Sequence, residues 1–249
     1  MRRKYRVRQA SESLMVGCLL SASGGLQDAY TFNIRDGVFA NAQTGNIVLL
    51  GENLALGNWE IALRYFLPLL AFAAGIYLTE VIHGLFPNQG VHTLHWRHGV
   101  LLAEIAVLLA VGWMPQRWNL PANMLVSFVC AMQVEAFRTV EGNSYATTMC
   151  IGNLRSAMEN LYYWRRNKDS SRRHKAGLYF MVIVFFLLGA AAGGVLSPHW
   201  EEATIWLCCP LLLLAFVLMV RIHSRRLRFL EWLTGVQEDD EQNGHEGNI

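Results

Sequence analysis

The stretch TGNIVLLGEN, Thr44 to Asn53, returns in altered form as IGNLRSAMEN, Ile151 to Asn160. Each puts Gly-Asn at the head of a short helical segment and Glu-Asn near its tail. At a shift of 107 residues, Gly45-Asn46 falls on Gly152-Asn153, and Glu52-Asn53-Leu54 falls on Glu159-Asn160-Leu161. Upstream, Asp28-Ala29-Tyr30 falls on Glu135-Ala136-Phe137 in the same register. After the long basic loop the register moves by a further 11 residues, and Ala71-x-x-x-Gly75 then falls on Gly189-x-x-x-Gly193. The chain reads as two copies of one unit: a long apolar segment, a short polar helix, then two more apolar segments.

Composition says what kind of solvent those units face. Of 249 residues, 53% are hydrophobic and only 16% are charged, and the mean hydropathy is +0.24. A soluble chain of this length needs more polar surface to cover its core, so a multi-spanning membrane protein is expected. Segments able to cross a hydrocarbon core of about 30 Å are Ser13–Ile34, Ile61–Phe86, His98–Met114, Ala122–Val140, Ala176–Leu196 and Thr204–Ile222. Pro87, Pro115, Pro121 and Pro198 punctuate their ends. Asn41–Gly57 and Tyr145–Trp164 carry too many polar groups to face lipid, and are expected as short helices that are broken or re-entrant. The fold class expected is all-α transmembrane: about six spans plus two short polar helices, in two internal repeats, with eight crossings as the alternative if the short helices also cross. Residues 1–12 form a basic N-terminus, 13–120 and 121–228 the two repeat units, and 229–249 an acidic tail expected to be disordered.

Orientation follows from the basic residues. Arg2, Arg3, Lys4, Arg6 and Arg8, the run from Arg165 to Lys175, and Arg221, Arg225, Arg226 and Arg228 belong on the cytoplasmic side. Both termini are then cytoplasmic. If the short helices do not cross, each unit has an odd number of crossings, and the copies are inverted relative to one another. The run LMVGC ending at Cys18 has the look of a lipoprotein cleavage site, but the apolar segment continues past it, so an uncleaved first helix is expected. The five cysteines include no CxxC, and neither a disulfide framework nor a zinc site is indicated.

GGLQDAYTF and GVFANAQTGNIVLLG in the first half, with EGNSYATTMCIGNLRSAMENL in the second, resemble the YoaK family of bacterial membrane proteins, long catalogued as a domain of unknown function. The resemblance covers roughly Ser13 to Arg228. It implies a bacterial inner-membrane location and about six spans, and no established activity. Ile151 stands where the first half has Thr44, so the second half departs from the pattern.

Four acids are candidates for proton or ion coupling: Asp28 and Glu135, then Glu52 and Glu159. Intramembrane acids are the usual parts of proton relays and ion sites; the alternative is an acid satisfied inside the bundle or at a helix end. Candidates for binding solute are Gln27, Thr44, Gly45, Asn46, Gln133, Gly152, Asn153 and Arg155. Glycine lets a helix break or approach closely, asparagine both donates and accepts, and a broken helix offers free backbone groups. Packing with Asn as interhelical glue is the competing account. Arg155 can pair with Glu159 one helical turn away, and Arg138 with Glu135. The small-residue faces read as helix packing, between the units or in a homodimer. His92, His95 and His98 lack carboxylate or thiolate company and are not expected to bind metal.

No catalytic motif is present, so no enzyme and no cofactor are expected. The basic loop is a topology signal, and no nucleic-acid partner is implied. The function expected is a small secondary transporter or permease for a small polar or ionic solute, with proton coupling. An ion channel, or a scaffold or sensor that transports nothing, is the alternative.

Overall fold

The computed structural model describes residues 10–85 and 96–222, and among these the chain is all-α apart from one two-stranded hairpin. Helix α1 is Leu14–Ile34, α2 is Gln43–Ala55, α3 is Trp59–Leu85, α4 is Trp96–Val111 and α5 is Asn119–Ala136. Strands β1 (Thr139–Val140) and β2 (Asn143–Ser144) follow. Then come α6 (Cys150–Asn167), α7 (Ser170–Trp200), a 3-10 stretch (Glu201–Leu207) and α8 over residues 208–222.

Two helical stretches, Trp59–Leu85 and Ser170–Ile222, are long and apolar enough to cross a membrane. The distribution of side chains is that of a protein solvated by hydrocarbon. Leu63, Phe66, Leu70, Tyr77, Leu78 and Val81 of α3 face outward, while Ser21, Ser23, Gln27, Asp28 and Thr31 of α1 are buried. A water-soluble bundle places these classes the other way round.

The long helices pair where side chains are smallest. α1 packs on α7 and α3 on α5, with α2 on α3 and α6 on α7. A Cβ at Gly189 would strike the Ala22 carbonyl of α1, and one at Gly25 would strike the Phe186 carbonyl of α7. Gly193 faces Leu26 and Ala29; on the other pair, Gly75 faces the Phe128 carbonyl and Ala131. Lipid tails are as apolar as leucine, so close van der Waals contact between backbones holds such helices together. Gly25, Gly75, Gly189 and Gly193 are thus spent on helix contacts within the chain.

Sequence-based boundaries shift at several places. The fourth apolar segment, expected to reach Val140, ends as a helix at Ala136. Glu141 (φ 47°) and Gly142 (φ 75°) form the centre of a tight hairpin turn, a conformation in which both central residues need positive φ. The second short helix starts at Cys150 rather than Tyr145, because residues 145–149 form an arm leading into it. Arg172, Arg173 and Lys175 lie in the first turns of α7, not in a loop. The Asp169 side chain caps that helix, accepting from the Ser171 amide at 2.9 Å. Pro198 lies inside the last turn of α7 and Pro68 inside α3. The basic N-terminus, Phe86, Pro87, His92, His95, the basic residues after Arg221 and the acidic tail lie outside the described residues.

The opposite ends of α1 are tied down differently. Arg35, its C-terminal cap, is completely buried. Its guanidinium donates to Tyr30 Oη (2.8 Å), Asn119 Oδ1 (3.0 Å) and the carbonyls of Val111 (3.1 Å) and Met114 (2.7 Å). Those carbonyls close the C-terminal end of α4, where the helix dipole favours a cation. One side chain thereby pins the ends of α1 and α4 to the start of α5.

Candidate functional site

Two arms of irregular chain meet at the midpoint of α1. The first, residues 35–42, turns back along α1 after Ile34. The Asn41 amide donates to Asp28 Oδ1 at 2.7 Å, and Asn41 Nδ2 reaches the Gly24 carbonyl at 3.3 Å. The chain has therefore descended roughly 15 Å, at 1.5 Å per residue, from Ile34 to the level of Gly24. The second arm, residues 137–149, approaches from the other end. Tyr145 lies against Gly17, Ser21 Oγ donates to the Thr147 carbonyl at 2.7 Å, and Thr148 presses on Gly24. Gly24 is the middle residue of a 21-residue helix. A Cβ there would strike Thr148 Cγ2 and lie 3.8 Å from Asn41 Nδ2.

From this meeting point α2 and α6 set out, and each arm is locked to its helix in the same way. Asn46 Oδ1 accepts from the Phe39 amide (3.0 Å) and its Nδ2 donates to the Phe39 carbonyl (2.7 Å). Asn153 does the same to Ala146, at 3.3 and 2.7 Å. Further along, Asn53 Nδ2 donates to the Leu49 carbonyl and Asn160 Nδ2 to the Ser156 carbonyl, both at 2.8 Å. Both Gly-Asn pairs thus serve an asparagine that completes the hydrogen bonds of an arm without regular structure.

Beside the meeting point lies a cavity of about 790 Å³. Its walls are largely apolar, from Phe32 and Phe39 (stacked, centroids 4.7 Å apart) to Phe72 and Phe186. Its polar groups come from α1, the arms and the first turns of α2 and α6: Asp28, Asn41, Gln43, Thr44, Thr148 and Gly152. The amides of Thr44, Ile151 and Gly152 donate to no backbone acceptor among the described residues, as first-turn amides do when nothing caps them. Asn41 and Thr148 line the cavity, and their Oδ1 and Oγ1 atoms are buried with no hydrogen-bond partner among the described residues. Unpaired buried acceptors cost about 1–3 kcal/mol each. The cavity therefore offers uncapped helix amides inside a largely apolar wall.

The other candidates lie elsewhere. Gln27 and Gln133 converge on Glu104 of α4, a residue the sequence reading passed over. Gln27 Nε2 donates to Glu104 Oε1 at 2.9 Å and to Ser23 Oγ at 3.0 Å, and Cys130 Sγ donates to Gln27 Oε1. Glu104 is the lone charge in GVLLAEIAVLLAV, which was signal enough to find it. Gly45 sits under the Phe39 ring, where a Cβ would come within 3.0 Å. Glu52, Glu159 and Arg155 are exposed, away from the cavity, and Arg155 and Glu159 form no ion pair. Their residues fall on the outward faces of α2 and α6, because the inward positions are taken by Asn46 and by Asn153, Ala157 and Asn160. Glu135 is not deep in a span. It lies in the last turn of α5, where Arg138 joins it at 2.8 Å and Glu80 of α3 at 3.0 Å. His98 is buried with its ring edge on Phe216.

The fold is an all-α bundle with two helical stretches apolar enough to cross a membrane and a largely apolar cavity beside the midpoint of α1. A family model described as a protein of unknown function, DUF1275, matches residues 16–218, and the chain belongs to that family. No curated protein and no solved structure matches it.

Proposed function

We propose that the chain is a small secondary transporter or permease of the bacterial inner membrane, with the cavity beside Gly24 as its solute site. Six helices cross: α1, α3, α4, α5, α7 and α8. At 21 residues, α1 is about 31 Å long, matching a hydrocarbon core of about 30 Å. Both termini are cytoplasmic on the charge pattern. α2 and α6 start at mid-depth and return to opposite faces, so they are re-entrant helices.

The chain is two inverted repeats. What supports this is the pairing of equivalent contacts: α1 with α7 against α5 with α3, and α6 with α7 against α2 with α3. Gly193 meets the Leu26 carbonyl and Ala29 Cβ, as Gly75 meets the Phe128 carbonyl and Ala131 Cβ. The C-terminal caps of α1 and α5 share a conformation, φ −120°, ψ 58° at Arg35 and φ −115°, ψ 57° at Phe137. This places Leu26 opposite Phe128, and Asp28 opposite Cys130 rather than Glu135. The long helices differ in register from the short ones because the hairpin at Glu141-Gly142 lengthens the second arm. The YoaK resemblance fits the same architecture.

The observation that carries the function is the convergence of two helix N-termini on one cavity, beside the buried, unpaired Asn41 Oδ1 and Thr148 Oγ1. Half-helix N-termini at mid-depth are how transporters hold polar or anionic groups. The phenylalanine walls suit an apolar body on the same solute. A channel would share the residues, but flux through it would not saturate. Purified chain in proteoliposomes tests the reading by osmotic swelling with small amides, carboxylates and polyols. At least one class permeates faster than through empty vesicles, with saturation, and Gly152→Trp abolishes it by filling the cavity. If every class permeates wild-type and Gly152→Trp vesicles equally, the cavity is not a transport site.

A further inference from the structure

The elbow between α6 and α7 gathers Arg165, Arg166, Lys168, Arg172, Arg173 and Lys175. Among the described residues none of these cations forms an ion pair. Asp169 is the only acid in the sequence between Glu159 and Glu201. Its carboxylate is already committed to capping α7, accepting from the Ser171 amide. His174, also on the elbow, faces Glu141 of the hairpin at 2.9 Å.

Helix electrostatics accounts for part of this charge. Arg165 and Arg166 lie in the last turn of α6, where the dipole favours cations. Arg172, Arg173 and Lys175 lie in the first turns of α7, where the dipole opposes them and no acid accompanies them. Lys168, at φ 54° and ψ 24°, turns the chain sharply between the two helices. The cations of both helices therefore collect at one corner, and their mutual repulsion calls for an anion from outside the chain.

Several guanidinium groups are held in place there. Arg172 donates to Asn160 Oδ1 at 3.0 Å and lies over the Tyr163 ring, 5.4 Å from its centroid. Arg173 lies over Trp164 at 6.0 Å, and Arg166 donates to Tyr162 Oη at 3.4 Å. A guanidinium carries more N–H donors than these contacts use. Tyr162 and Tyr163 are exposed beside them, and directly after Lys175 the helix turns apolar, from Ala176 to Leu196. A dissolved anion needs only the cations. Cations, exposed tyrosines and the start of an apolar span together are what the headgroup level of a bilayer selects.

We propose that the α6–α7 elbow binds the phosphate headgroup of an anionic phospholipid in the cytoplasmic leaflet. This rests on the membrane placement in the transporter reading, and not on transport itself. The elbow holds α6 against α7, and the first turn of α6 lines the solute cavity. A lipid that bridges the two helices steadies that wall.

Native mass spectrometry of the full chain tests this, with micelles holding equal amounts of phosphatidylglycerol and phosphatidylcholine of the same acyl chains. Wild type retains phosphatidylglycerol in several-fold excess. Arg166→Gln/Arg173→Gln lowers that excess several-fold. So does Arg165→Gln/Lys168→Gln, which removes no cation stacked on a ring and guards against a loss caused by misfolding. Arg64→Gln/Arg117→Gln removes two exposed cations far from the elbow in the chain and leaves the excess unchanged. An excess that survives in both elbow pairs overturns the site. An equal loss in all three pairs reduces the binding to net charge and also overturns it. Inorganic phosphate at constant ionic strength leaves the excess in place; if phosphate abolishes it, the elbow takes the free ion and not a lipid. None of these readouts involves flux, so their failure is distinct from failure of the transport assay.

Discussion

Asp28 Oδ1 accepts the backbone N–H of Asn41 at 2.7 Å, across a turn of chain that doubles back on its own helix. A residue that looks from sequence like a proton carrier is therefore also the anchor of an arm. Asp28→Asn keeps an oxygen acceptor and leaves the fold intact. Asp28→Leu strands a buried amide and costs about 1–3 kcal/mol. Thermal unfolding in detergent separates the two, and equal melting temperatures would remove Asp28 from this structural role.

The asparagine clamps make a sharper comparison. Asn46→Ala and Asn153→Ala each free one partly buried N–H and one partly buried C=O. Each is expected to cost about 1–3 kcal/mol and to raise amide exchange in its own arm, residues 35–42 or 137–149. Aspartate does not rescue either, since it cannot donate to the carbonyl. Hydrogen exchange followed by mass spectrometry reads the arms separately.

Two arginines beside helix ends are expected to behave oppositely. Arg35 is buried among four acceptors, and Arg35→Ala costs about 3 kcal/mol or more, because hydrogen bonds from a charged donor are worth about 1.5–3 kcal/mol. Arg138 bridges Glu80 and Glu135 but is half exposed, and Arg138→Ala costs no more than about 1 kcal/mol. Denaturant or thermal unfolding of both variants in one detergent checks the ranking.

Glycine contacts predict which small residues tolerate growth. Gly189→Leu drives a side chain into the backbone of α1 at Ala22 and prevents the α1–α7 crossing. Gly194→Ala meets nothing within 4 Å and is neutral or slightly stabilising, by up to about 1 kcal/mol for the better helix former. Yield of monodisperse protein on size exclusion distinguishes them.

Much of the architecture was legible because lipid imposes simple rules. Long apolar runs gave α1, α3, α4, α5, α7 and α8, and the polar interruptions marked α2 and α6 as different in kind. The echo of Gly-Asn located both arms. The depth of the acids was not legible, because hydropathy locates a segment without fixing where a residue lies along it. Glu135 sits at a helix end only because a hairpin cuts α5 short at Ala136. Nor could spacing alone show that Gln27 and Gln133, on different helices, turn toward a third. Glu104 was visible as a lone charge but has no partner in the repeat pattern, and an eye trained on pairs passes over a singleton.

The meeting of the two arms at Gly24 of α1 has a consequence for synthesis. One arm follows α1 directly and can dock on Gly24 and Asp28 as soon as residue 46 is made. The other reaches Ser21 from 126 residues away, and the small face that takes Gly189 is filled later still. Until then α1 holds Ser21, Ser23 and Gln27 with half of its neighbours missing. Helix α1 is thus among the last helices to be enclosed, although the second half of the chain that completes its surroundings is made after it.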